Sequence, residues 1–259
     1  MTQTLVDTHV YLDRWPFRRM PGDEPAELAA KLRAKRVEKA WVASFDGVFH
    51  RDLGAANERL ARVCRTLAPD LLIPFGAVNP TLPDWEEDLR RIVEVHHMPG
   101  VRLYPNYHGY TLDSTECSRL LDSAVERGLF VQLVVSLEDE RTQHRLARVP
   151  PVAIEALVAQ VASRPKLRLQ LLNAFRGPSP AVIDKLVQSG QVFVDIANLE
   201  NVGGVARLAE RLPSDRILFG SHFPLFYWES AWLKLRESPL SDEQRRLILT
   251  AQRLLEQKS

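Results

Sequence analysis

Cysteine is scarce: two residues, Cys64 and Cys117, each inside a helix-like stretch, leave no disulfide framework and no Cys-x-x-Cys site. Buried reduced thiols are the expectation for both. Neither sign of charge is in marked excess. Thirty-four basic and 33 acidic side chains give a net charge of +1, and no basic stripe runs along the chain, which argues against a nucleic-acid partner. Apolar runs such as LLIPFGAV and FVQLVVSL fall far short of the ~18–20 residues of a membrane span. The opening MTQTLVDTHVYLD has no basic segment leading into an apolar core, so the expectation is a cytoplasmic chain without a secretory leader. A glycine-rich G-x-G-x-x-G turn after the first strand is also absent, which argues against a dinucleotide-binding open sheet.

What is present is a regular alternation of short β-rich segments and amphipathic helical patterns. The pattern predicts strands near 4–10, 39–45, 71–78, 100–104, 130–136, 167–173, 192–197 and 216–221. Several, such as VFVDIA and LRLQLL, are almost wholly apolar, as parallel strands covered on both faces are. Helix punctuation separates them: Ser179 and Pro180 open a helix that Gly190 closes, Gly128 closes another, and Ser241 with Gln244 has capping-box spacing. Eight such units in 259 residues close a (β/α)8 barrel, a TIM barrel of α/β class, in one domain spanning 1–259.

Working residues in that architecture lie at the C-terminal ends of strands. Alternation along each strand brings to the mouth His9 and Tyr11, Ser44 and Asp46, Asn79, then Arg102, Tyr104 and Asn106, followed by Val134 and Ser136, Asn173, Asp195 and His222. The adjoining loops, WPFRR, YPNYHGY and FPLFYW, supply aromatic walls for a small-molecule pocket, or packing and interface surface. Arg14, Arg18, Arg102 and Arg176 are candidates for meeting a substrate carboxylate, with a buried ion pair to Asp46 or Asp195 as the alternative for Arg102. Glu138 and Asp139, just past the fifth strand, are candidate ligand contacts. His50 and His144 read as loop residues, and His96 and His97 as a helix C-terminus.

D-T-H-V-Y at 7–11, GVRLYPNYHGYTLD at 100–113 leading to ERGLFV, and RILFGSHFP at 216–224 together resemble the amidohydrolase superfamily, in particular its amidohydrolase-2 branch. The resemblance runs over essentially the whole chain, in order. It implies a divalent metal held by two His of strand one, one His each of strands five and six, and an Asp of strand eight, activating water or assisting decarboxylation. His9 matches the first ligand. Tyr11, Val134, Asn173 and His222 stand where the other four belong.

Three readings are open. The first is a hydrolase for a small carboxylate-bearing or cyclic, lactone-like substrate, without the usual metal. In it His222 is the general base, His9 and Tyr11 are oxyanion donors, and Asn173 lies beside them. Arg102, Tyr104, Asn106, His108, Asp195, Asp46 and Arg18 then bind substrate. The second is a non-catalytic binding or scaffold barrel, with His222 merely filling the space of Asp plus metal. The third is an amidohydrolase or decarboxylase that keeps zinc or manganese in a rearranged site of His9, His222, His108 and Asp195. No cofactor is expected under the first two. The resemblance also makes a homodimer an assembly to test.

Overall fold

In the computed structural model, which describes residues 4–139 and 141–256, eight parallel strands succeed one another around a barrel. They are β1 Val6–Leu12, β2 Lys39–Ser44, β3 Leu72–Ala77, β4 Gly100–Leu103, β5 Phe130–Val134, β6 Arg168–Leu172, β7 Gln191–Asp195 and β8 Ile217–Leu218. Helices between them cover the outer face, their apolar stripes packing on outward-facing strand residues such as Val131, Leu133, Leu169 and Val194. The punctuation holds: the Ser179 and Ser241 side chains each accept a bond from the third backbone N–H of their helices, and Gln244 completes the box. Cys64 and Cys117 are buried free thiols. No helix among the described residues is long and apolar enough to cross a membrane.

The interior is stacked in three layers, as alternation along parallel strands requires. At the N-terminal end Val6, Trp41, Phe75, Phe130, Phe193 and Leu218 pack with Ala251 and Leu254 from the C-terminal segment. The middle layer is polar. Gln170 Nε2 donates to Thr8 Oγ1 at 2.8 Å, Gln132 Nε2 donates to Gln170 Oε1 at 2.8 Å, and Arg102 Nε donates to Gln132 Oε1 at 2.8 Å. The upper layer, facing the C-terminal mouth, holds Tyr11, Ala43, Ala77, Tyr104, Val134 and Leu172, roofed by Trp15, Phe45 and Leu137.

Two irregularities shape that mouth. The β1–β2 register shifts between Asp7 and Val10, a bulge that adds a residue and re-aims the side chains beyond it. Thr8 therefore joins the polar layer while His9 and Tyr11 also reach inward. Strand eight is much shorter than the sequence pattern predicts. After Leu218 its backbone leaves β7: Phe219 N donates to Ile248 O, and closure onto β1 runs through Thr8 N to Phe219 O (2.9 Å) and His222 N to His9 O (2.7 Å). Gly220 makes this possible, since a Cβ there would lie 2.9 Å from Asp195 Cβ and 3.0 Å from His9 Cβ.

Candidate active site at the barrel mouth

Three strand ends meet in one chain of hydrogen bonds. Asp195 Oδ2, at the end of β7, lies 2.5 Å from His9 Nδ1. His9 Nε2 lies 2.7 Å from His222 Nδ1, just past β8, and His222 Nε2 lies 2.5 Å from the backbone carbonyl of Leu137, past β5. All three side chains are fully buried. Asp195 Oδ1 accepts Asn173 N–H at 3.0 Å, which fixes the carboxyl plane. Asp7 anchors the other side, accepting from Ser221 N, His9 N and Trp228 Nε1.

Hydrogen counting fixes the protonation pattern. The Leu137 carbonyl only accepts, so His222 Nε2 carries a hydrogen when that bond is made. Three contacts then need three protons. Burial holds both imidazoles well below the ordinary histidine range, with the Arg102 charge adding to the effect on His9, so each keeps a single proton. Burial also pushes the Asp195 carboxyl up to about 6. Below that pH Asp195 supplies the third proton and every link is made. Above it the chain holds two protons. In that state, Asp195⁻ accepting from His9 Nδ1 and His9 Nε2 accepting from His222 Nδ1 leave the His222 Nε2 lone pair ready to take a proton.

The backbone is strained at the same place. Asn173 and His222 both adopt left-handed conformations, with φ of 55° and 59°, at a cost of about 1–2 kcal/mol for a residue with a Cβ. Buried polar atoms without a protein partner also gather here: Trp15 Nε1, Glu138 Oε2 and Asn173 Oδ1. The Tyr11 and Tyr104 hydroxyls approach each other without an aligned bond. Orphaned polar atoms are rare in native interiors, and such a concentration marks a place where a polar ligand or water belongs.

Open space lies beside the axis. A cleft of about 790 Å3 runs between the loops after β1, β5, β6, β7 and β8, within the ~300–1,000 Å3 range of small-molecule sites. Phe226 lines it and also stands edge-on to His222, with ring centroids 4.7 Å apart. Five cationic side chains, Arg18, Arg19, Arg141, Arg176 and Lys234, share its walls with three carboxylates, and Arg19 is paired with Asp23 and Arg141 with Asp139. Arg18 pairs with Glu138, and Arg176 with Asp139 (2.7 Å) and with Glu200.

Several expected site residues stand elsewhere. Asp46 begins a short helix because β2 ends at Ser44, and it faces outward to pair with Arg59 and His50. Arg102 points inward as expected but one layer too deep. Its guanidinium is spent on Gln132, the Val10 and Trp41 carbonyls and the Tyr11 ring face, so it pairs with neither Asp46 nor Asp195. Asn106 donates to Pro150 O. His108, on the turn after β4, bonds Gly47 O at 3.0 Å and does not join His9 and His222. Arg14 pairs with Glu24 at the surface. His9, with both nitrogens inside the chain of bonds, has no hydrogen left for an oxyanion. Trp15 packs on Phe45 in the roof of the upper layer, whereas Trp228 packs outside the barrel against Phe219. Sequence reasoning gave no role to Asp7, buried against the Ser221 and His9 amides and the Trp228 indole, nor to Arg19, Arg141 and Lys234 of the cleft. The carbonyl of Leu137 carries no side-chain signal at all.

A family model described as amidohydrolase matches residues 6–255. The chain belongs to the amidohydrolase family. No curated protein matches it. Among solved structures it resembles 5-carboxyvanillate decarboxylase from Sphingomonas paucimobilis, with a TM-score of 0.74 at 12% identity over 99% of this chain and 100% of that one. A TIM-barrel protein from Bordetella bronchiseptica gives 0.75 at 14% identity, covering 98% of each chain. A dihydroxybenzoic acid decarboxylase from Polaromonas, solved with bound manganese, gives 0.71 at 12% identity over 98% and 97%. At these identities the likeness is one of fold.

The metal expected of the family does not fit the donors present. Two imidazole nitrogens on one tetrahedral zinc, each at ~2.0–2.1 Å, stand roughly 3.3 Å apart with lone pairs converging. Here they face each other at 2.7 Å across a hydrogen, and the remaining two nitrogens are bonded to Asp195 and Leu137. Tyr11, Val134 and Asn173 take the other ligand positions. Among the described residues no three His, Cys, Asp or Glu side chains converge as a metal site.

Proposed function

We propose that this member of the amidohydrolase family is a hydrolase of small carboxylate-bearing esters, lactones or amides, with the Asp195–His9–His222 chain as its acid–base group. The observation that carries this reading is that chain itself, continuous from a buried carboxylate to an imidazole nitrogen at the barrel mouth. In the two-proton state His222 Nε2 takes a proton from the attacking water. The resulting charge is neutralised as protons shift through His9 to Asp195. In the three-proton state His222 Nε2–H returns the proton to the leaving group, and the chain resets. Cationic side chains of the cleft hold the substrate carboxylate, and Phe226, which lines the cleft, stands edge-on to the His222 ring.

The test is turnover of a panel of carboxylate-bearing aryl esters, lactones and amides after exhaustive chelation. Wild type is expected to hydrolyse at least one of them, with loss of ~10³-fold or more in His222→Ala. Turnover that survives in His222→Ala, or that appears only on adding manganese or zinc, defeats the reading. A non-catalytic barrel is the second reading. It is favoured by the complete burial of His9, Tyr11 and His222, and saturable ligand binding without turnover across the panel would support it.

A further inference from the structure

His222 Nε2, the reactive end of the chain of bonds, meets the Leu137 carbonyl at 2.5 Å. One residue on, the Glu138 carboxylate pairs with Arg18. The Glu138 side chain is 1% exposed, whereas Arg18, from the loop after β1, is 36% exposed and lines the cleft. Glu138 Oε2 has no partner. As a packing residue beside Val134 and Leu137 this glutamate is a poor choice, since a buried carboxylate with an idle oxygen costs more than an apolar side chain of its size. As a ligand it is well placed: one dipeptide puts a carbonyl oxygen on the acid–base nitrogen and a carboxylate on a cleft arginine.

We propose that Leu137–Glu138 occupies the substrate site as an intramolecular ligand. The substrate it mimics carries a carbonyl separated from a carboxylate by four chain atoms, as Leu137 C=O is separated from the Glu138 carboxyl by N, Cα, Cβ and Cγ. This deepens the hydrolase reading and rests on it for the identity of His222 as the reacting imidazole. Substrate displaces the dipeptide by taking Arg18 with its carboxylate and, in the three-proton state, the His222 Nε2–H with its carbonyl oxygen; that bond is given up when the two-proton state turns Nε2 to the attacking water. Self-occupancy weakens apparent affinity by the fraction of time the site is open, so removing Glu138 tightens binding.

The experiment is calorimetric titration of 4-acetamidobutanoate, which reproduces that spacing, into full-length wild type, Glu138→Ala, Glu138→Gln and Arg18→Ala. Both Glu138 variants are expected to bind about tenfold tighter than wild type, and Arg18→Ala to show no binding. The His222 Nε2 resonance in ¹⁵N-histidine spectra should move when Glu138→Gln is saturated. Glu138→Gln keeps the side-chain shape and carries the comparison if the alanine variant does not fold. Equal affinity in wild type and Glu138→Gln, binding that survives in Arg18→Ala, or no binding by any variant each overturns the proposal. These readouts need no turnover. Tight binding by Glu138→Gln without hydrolysis of any panel substrate sinks the hydrolase reading alone. Hydrolysis lost in His222→Ala with affinities unchanged at position 138 sinks this one alone.

Discussion

Asp195→Asn separates the proposed acid–base role of the buried chain from its part in holding the fold. The amide is the same shape. Its Nδ2 can donate to His9 Nδ1, and its Oδ1 can still accept Asn173 N–H, bonds now made at 2.5 and 3.0 Å. The bonds from His9 to His222 to Leu137 remain, so the folded structure should survive. What disappears is the proton reservoir. The Asp195 carboxyl is raised from 3.8 to about 6 in the fold, so its neutral form is favoured there. Its contribution is therefore fully present below the unfolded value of 3.8 and is lost as pH rises through about 6. The span corresponds to at most about 3 kcal/mol. Both histidines are shifted the other way, down, and their contribution is lost as pH falls below 6.5. They remain in the variant and cancel in the comparison. The stability of wild type relative to Asp195→Asn, measured by denaturant unfolding with tryptophan fluorescence, should thus fall by about 2–3 kcal/mol between pH 4 and 6 and stay level above 7. Turnover in the variant should drop about 10⁴-fold, as when an orienting carboxylate is neutralised in an acid–base triad. Stability curves that run parallel from pH 4 to 7 would refute the hydrogen count.

The same geometry predicts two further outcomes. Gly220→Ala places a methyl 2.9–3.0 Å from the Asp195 and His9 Cβ atoms, so it should cost about 1–3 kcal/mol and shift both histidine ring signals in NMR; an unperturbed His9 would show that strand eight has more freedom than this packing allows. Chelation and subsequent addition of manganese or zinc should leave the melting temperature unchanged, whereas an ion at a hundredfold its Kd would add about 2.7 kcal/mol, several degrees in a thermal scan.

Much of the site was legible because strand ends are legible. His9, Tyr11, Asn173, Asp195 and His222 were all found by locating each strand and taking the residues where it stops. That procedure fails where a side chain leaves the strand or lies too deep. Asp46 opens the short helix just past β2, and His108 sits on a turn that aims its ring at Gly47. Arg102 lies on the correct face, but in the layer where backbone carbonyls absorb its hydrogens. The substitutions of Tyr11, Val134, Asn173 and His222 at the ligand positions were plain in the sequence, because coordination chemistry depends on residue type.

The eight strand–helix units, the parallel buried strands, the helix caps and the residue types at the family's ligand positions could be read before folding, since each follows from local pattern or side-chain identity. How the two histidines share their hydrogens depends on contacts made after the barrel closes. The bulge after Asp7 turns His9 toward Asp195 and His222, and a backbone carbonyl from a segment 85 residues away in sequence meets the last nitrogen. Carbonyl groups are the same at every residue, so their position becomes visible only once the chain has closed.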